Sequence, residues 1–167
     1  MAQNSTQRYI GAPNGVVVCV DARDLGQLRG TLWHGYSSEG IPFENNEQML
    51  FYMERFYDWL RFPFPGYRER TFTPEESKII PTQERKRIMS DESLLSKHGD
   101  IGSFIVRVQH RQNSSWQGRV TWIEEDKTVG FRSVWELVKL MESAVDTVSK
   151  PEDGEDEASW FTPSERE

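Results

Sequence analysis

Shifting the chain by 88 positions lays it on itself without a gap: Val106 falls on Val18, Val108 on Val20, Arg111 on Arg23 and Gly118 on Gly30. Further along, Phe131 falls on Phe43, Met141 on Met53, Glu142 on Glu54 and Asp146 on Asp58. A constant offset that returns identities in strand, turn, helix cap and helix body is the mark of a repeated supersecondary unit, here of ββα type. Few folds satisfy that constraint. The expectation is an α+β protein in which duplicated ββα units, residues 15–60 and 103–148, form a four-stranded antiparallel sheet with two helices on one face.

The local patterns agree with this unit. In Phe104–His110, Phe104, Val106 and Val108 alternate with Arg107 and Gln109, which marks a half-buried strand. Its counterpart Val16–Ala22 is valine-rich throughout, so burial on both faces is expected there. After each turn the inward positions are Leu28, Gly30 and Leu32 in the first unit and Trp116, Gly118 and Val120 in the second. Residues 34–42 and 124–130 read as loops. Asn45 with Gln48, and Ser133 with Glu136, have capping-box spacing at the two helix starts. The second helix has one apolar stripe, whereas the first, Glu47 to about Arg61, carries Phe51, Tyr52 and Trp59 outside its stripe. Such a helix calls for a second covering surface, from residues 62–98 or from another copy of the chain.

Residues 1–149 thus read as a single domain of two repeats with a linking segment, 61–102. In that segment FPFPGY stops the first helix, and short helices are expected after Thr73 and within Pro81–Lys97. Residues 150–167 form an acidic tail of disordered composition. It is interrupted by Trp160 and Phe161, which suit either a partner's groove or the chain's own aromatic surface around Phe62 and Phe64.

Composition narrows the function. With 20 basic against 27 acidic residues the net charge is −7, which disfavours a protein devoted to gripping phosphate backbones. The lone Cys19 leaves no internal disulfide and no multi-cysteine zinc cluster. No signal peptide and no membrane span is legible, so a cytoplasmic protein is expected. His34, His98 and His110 lack any metal-binding spacing, and neither a nucleophile elbow nor a phosphate loop is present. No cofactor, metal or catalytic residue is expected.

The run RQNSSWQGRVTW followed by FRSVWELVKLMESA resembles a family of small, uncharacterised bacterial proteins with an RQN-x-SWQG hairpin and a leucine-rich helix. The resemblance covers residues 104–146 and implies no activity, ligand or cofactor. Within it Arg111, Asn113, Trp116 and Gln117 gather an aromatic ring and several hydrogen-bonding groups at one turn, a candidate binding site. The competing reading is structural: Trp116 points inward by parity, and Asn113 suits the turn itself. A second candidate is the sheet face away from the helices, with Trp33, Arg107 and Arg119, unless the linking segment covers it. The function expected is therefore a non-enzymatic binding or adaptor protein, possibly carried by a mobile element. Its partner would be another protein or a second copy, or else a small ligand. A nucleic-acid-binding module using the open sheet face is the alternative.

Overall fold

A computed structural model describes residues 10, 12–66, 70–73 and 85–148. The tail with Trp160 and Phe161, and the helix expected after Thr73, lie outside the described residues. The elements run β1 (Val16–Asp24), β2 (Gln27–His34), β3 (Ile41–Phe43), α1 (Asn46–Leu60), α2 (Asp91–Leu95), β4 (Gly102–His110), β5 (Gln117–Trp122), β6 (Lys127–Phe131) and α3 (Val134–Val148). One antiparallel sheet has the order β3-β2-β1-β4-β5-β6. The fold is α+β, but the sheet has six strands where four were expected. The two additions, β3 and β6, are short edge strands carrying Pro42 and Gly130. Proline cannot donate to a ladder and glycine weakens a strand, so both segments read locally as loops.

The registers of the two halves coincide under the 88-residue shift. Val16 pairs with His34 and Phe104 with Trp122, while Gly30 pairs with Phe43 and Gly118 with Phe131. Even the irregularities correspond, between Val20 and Ala22 in β1 and between Val108 and His110 in β4. In the central pair Val17 stands opposite Ile105, its own counterpart. The helices occupy equivalent spans.

Packing follows side-chain parity. Val16, Val18, Val20, Leu28, Leu32, Phe104, Val106, Val108 and Val120 join Met49, Met53, Tyr57, Leu137, Met141 and Val145 of the helices in the main core. Gly30 and Gly118 allow the backbones to approach: a Cβ would stand 1.8 Å from the Cys19 carbonyl oxygen at the first and 2.0 Å from that of Arg107 at the second. The double-sided burial expected of β1 also holds. On the opposite sheet face Val17, Cys19, Ile105 and Ile123 are covered by Ile10 and by Leu94 of α2, forming a second core.

The helix starts use their caps with one variation. Asn45 Oδ1 accepts from the Gln48 amide at 2.8 Å, but Gln48 Oε1 accepts from the Glu44 amide, one residue before the cap. Ser133 Oγ accepts from the Glu136 amide. The helix expected across Pro81–Lys97 is confined, among the described residues, to the single turn capped by Ser90. Residues 85–89 belong to no helix or strand, and the Ile88 and Met89 amides donate to the Gly35 carbonyl.

Candidate functional site: an aromatic cleft at one end of the sheet

The RQNSSWQG turn is occupied by structural duties. Arg111 is only 2% exposed. Its Nε donates to the Pro63 carbonyl at 2.8 Å and one terminal nitrogen to Asp58 at 2.6 Å, while its own carbonyl accepts from the Gly66 amide. The side chain therefore fastens the FPFPG turn to the end of β4. Gln117 closes the hairpin loop, accepting from the Gln112 amide and donating to the Gln112 carbonyl. Asn113 and Ser114 both have positive φ, as do Leu25 and Gly26 at the equivalent turn. Asparagine tolerates that conformation better than most side chains. Ser115 Oγ accepts from the first amide of α3, and Trp116, 3% exposed, packs edge-on against Tyr57 at 5.4 Å. Of the four candidates at this turn only Asn113 is exposed; Gln117 is half-buried, and Arg111 and Trp116 are buried.

The sheet face away from α1 and α3 is also divided. Trp33 on β2 is half-buried, with Lys97 Nζ 4.2 Å above its ring. Arg107 on β4 donates to the Ile10 carbonyl and to Thr121 Oγ1, and burial, followed by the like charge of Arg119 across the ladder, lowers its pKa. Arg119 is exposed. Between Trp33 and this arginine pair runs β1, whose Val17 and Cys19 lie under Ile10 and Leu94. The continuous open face expected from the strand pattern is interrupted there, by the segment before β1 and by α2. Burial also pushes the Cys19 thiol up to about 12, with Asp21 and Glu124 adding to the effect, so it stays protonated and inert at neutral pH.

A different place gathers recognition chemistry. Between the ends of β2 and β3 and the second half of α1 lies a cleft of about 360 Å³, lined by His34, Tyr36, Ser37, Ile41, Tyr52, Arg55, Phe56 and Trp59. That volume falls in the range of small-ligand sites. His34 stacks on Phe56 with ring centres 4.2 Å apart, and Tyr36 meets Trp59 edge-on at 5.7 Å. His34 Nδ1 accepts from the Tyr36 amide at 3.1 Å, and burial lowers the imidazole pKa, so the neutral ring carries its proton on Nε2 as a donor. Trp59 is 41% exposed, and the Arg85 guanidinium sits 4.0 Å over its ring while donating to its carbonyl. The linking segment thus does touch the aromatic flank of α1, as expected, but at Trp59; Tyr52 packs against the core, and Phe51 is left 54% exposed.

The second half holds a matching groove of about 270 Å³, lined by Phe104, Val120, Trp122, Lys127, Val129, Leu140, Ser143, Ala144 and Thr147. Six cleft residues, His34, Ile41, Tyr52, Arg55, Phe56 and Trp59, stand 88 positions before Trp122, Val129, Leu140, Ser143, Ala144 and Thr147 of the groove. Place is shared and chemistry is not. The signal in the sequence is the difference between the halves at these six positions. Among the described residues no group of histidine, cysteine and carboxylate side chains could hold a metal ion, and no helix is long and apolar enough to cross a membrane. No protein-family model matches the chain, and searches of curated proteins and of solved structures return no match.

Proposed function

We propose that the chain is a cytoplasmic, non-enzymatic binding protein whose site is the aromatic cleft, and that its two halves descend from duplication of one βββα unit. One observation carries the binding reading: at equivalent places one half uses Tyr52, Arg55, Phe56 and Trp59 and the other Leu140, Ser143, Ala144 and Thr147. The second half fills these places with small and aliphatic residues, so the exposed Trp59 ring and Arg55 guanidinium of the first exceed what the fold requires. The exposed Trp59 ring, with half-buried Tyr36 and Tyr52 beside a histidine donor and an exposed guanidinium, suits a ligand that presents a ring and a negative charge. None of the described residues lining the cleft is a carboxylate, so among them His34 has no acidic partner of the kind a catalytic pair would use. The net charge of −7 and the interrupted sheet face weigh against the nucleic-acid alternative.

The test is a fluorescence titration of the full chain with 1-anilinonaphthalene-8-sulfonate, a probe that is both aromatic and anionic. Trp59→Ala removes a stacking surface worth about 1 to 1.5 kcal/mol, so affinity is expected to fall about tenfold. An affinity that neither Trp59→Ala nor Arg55→Ala alters sinks the proposal. Binding of single-stranded DNA that weakens steeply with salt, unaffected by Trp59→Ala, favours the nucleic-acid reading instead.

A further inference from the structure

Resting on the binding role proposed for the cleft, we infer that its occupant in the free protein is the chain's own acidic, aromatic tail, residues 152–161, held in cis. The cleft is lined by five rings, from His34, Tyr36, Tyr52, Phe56 and Trp59, with Arg55 in its wall and Arg85 over the Trp59 ring. The tail presents the complement: Glu152, Asp153, Glu155, Asp156 and Glu157, followed by Trp160 and Phe161. Aromatic rings at the end of an acidic run match a ring-lined cleft rimmed by guanidinium groups, since arginine both stacks on rings and pairs with carboxylates.

Reach permits the contact. The last turn of α3 is fixed at the β1–β2 hairpin, where Arg23 binds Glu142 at 2.8 Å and also contacts Asp146. Arg23 pairs with Leu28, and from Leu28 to His34 at the cleft is about 20 Å along β2. The stretch from Val148 to Trp160 spans up to about 40 Å when extended. The apolar groove of the second half is nearer, with Thr147 in its wall; each site has one cation among its described lining residues, Lys127 in the groove and Arg55 in the cleft, and Arg85 over the Trp59 ring adds a second at the cleft. Proximity favours the groove. Charge and ring content favour the cleft.

The experiment uses the full chain and the same anionic probe. Tethering makes the tail a competitor at roughly millimolar effective concentration, so Trp160→Ala with Phe161→Ala is expected to tighten probe binding about fivefold. In a Trp59→Ala background that gain disappears. Chymotryptic cleavage after Trp160 and Phe161 supplies an independent readout: docking slows it, and Trp59→Ala or Arg55→Glu speeds it about fivefold if opening precedes cleavage. Circular dichroism and the melting temperature check that each variant is folded. Probe binding and cleavage that both ignore the tail and cleft substitutions overturn the inference. Protection relieved by Val129→Glu in the groove and not by Trp59→Ala overturns it as well, as does protection that grows with protein concentration. A cleft that binds the probe without any tail effect removes this inference alone. Probe binding that no cleft substitution alters removes the binding role itself.

Discussion

Replacing Arg111 with alanine separates a structural duty from a binding one, because the side chain is buried and every bond it makes is internal. The substitution removes a charge-assisted bond to Asp58 at 2.6 Å and another to the Pro63 carbonyl at 2.8 Å, and it empties the space over the Tyr57 ring, 5.9 Å from the guanidinium carbon. Hydrogen bonds involving a charged group contribute about 1.5 to 3 kcal/mol each. Asp58 is largely exposed and rehydrates when its partner goes, so its share sits at the bottom of that range. The Pro63 carbonyl loses a buried partner and the core loses packing, so a total near 3 kcal/mol is expected. The counterpart Arg23 is more exposed, and Arg23→Ala is expected to cost about half as much. Urea unfolding followed by far-UV circular dichroism measures both, with unchanged slope and a lower midpoint. A loss below about 1 kcal/mol at Arg111, the range of ordinary surface changes, would refute the structural assignment and return the turn to the binding candidates.

Gly118→Ala places a methyl group 2.0 Å from the Arg107 carbonyl oxygen, and Gly30→Ala does the same at Cys19, so each is expected to destabilise by more than about 2 kcal/mol in the same urea assay. A cost below about 1 kcal/mol at either site would mean that the strands are less closely apposed than described. His34 has its pKa lowered by burial, so the unfolded chain takes up its proton first as pH falls. That contribution to stability is fully present above about pH 6.5 and declines as pH drops toward the lower folded value; His34→Phe should flatten the profile between about pH 7.5 and 5.5, and an unchanged profile contradicts the assignment. Deleting residues 150–167 is expected to change stability by no more than about 1 kcal/mol, since a segment with five acids and no base between positions 151 and 159 recovers little of its ordering cost. A loss of several kcal/mol in thermal melts would make Trp160 and Phe161 part of the core.

Much of the framework is readable locally. The alternation around Phe104, Val106 and Val108 gives the inward face of β4, and the polar caps Asn45 and Ser133 set helix starts that the structure matches within a residue or two. What local reading misses depends on contacts between distant segments. The edge strands Ile41–Phe43 and Lys127–Phe131 are strands because β2 and β5 offer them a ladder, which overrides Pro42 and Gly130. Arg111 resembles a surface recognition residue until Asp58 and the Pro63 carbonyl are brought against it. The cleft escapes for another reason. Tyr52, Phe56 and Trp59 read simply as an aromatic-rich helix flank, and their excess becomes visible only when Leu140, Ala144 and Thr147 are seen to occupy the same places in the other half.

The residues that repeat and those that differ do different work. Arg23 and Arg111, 88 positions apart, each tie the end of their own half's first strand to the last turn of the other half's helix, Arg23 to Asp146 and Arg111 to Asp58. These two ion pairs are exchanged between the halves. The central β1–β4 pairing, with Val17 opposite Ile105, joins the halves through backbone bonds at the same place. Two units connected in this way unfold together, which is why the loss at Arg111 is expected as a shift of one transition and not as a second one. The outer ends of the sheet are free of that constraint. Each cleft is walled by its own half's strands and helix, so its side chains can differ without disturbing the exchanged bonds, and it is there that the helix of one half carries Leu140, Ser143, Ala144 and Thr147 and the helix of the other Tyr52, Arg55, Phe56 and Trp59.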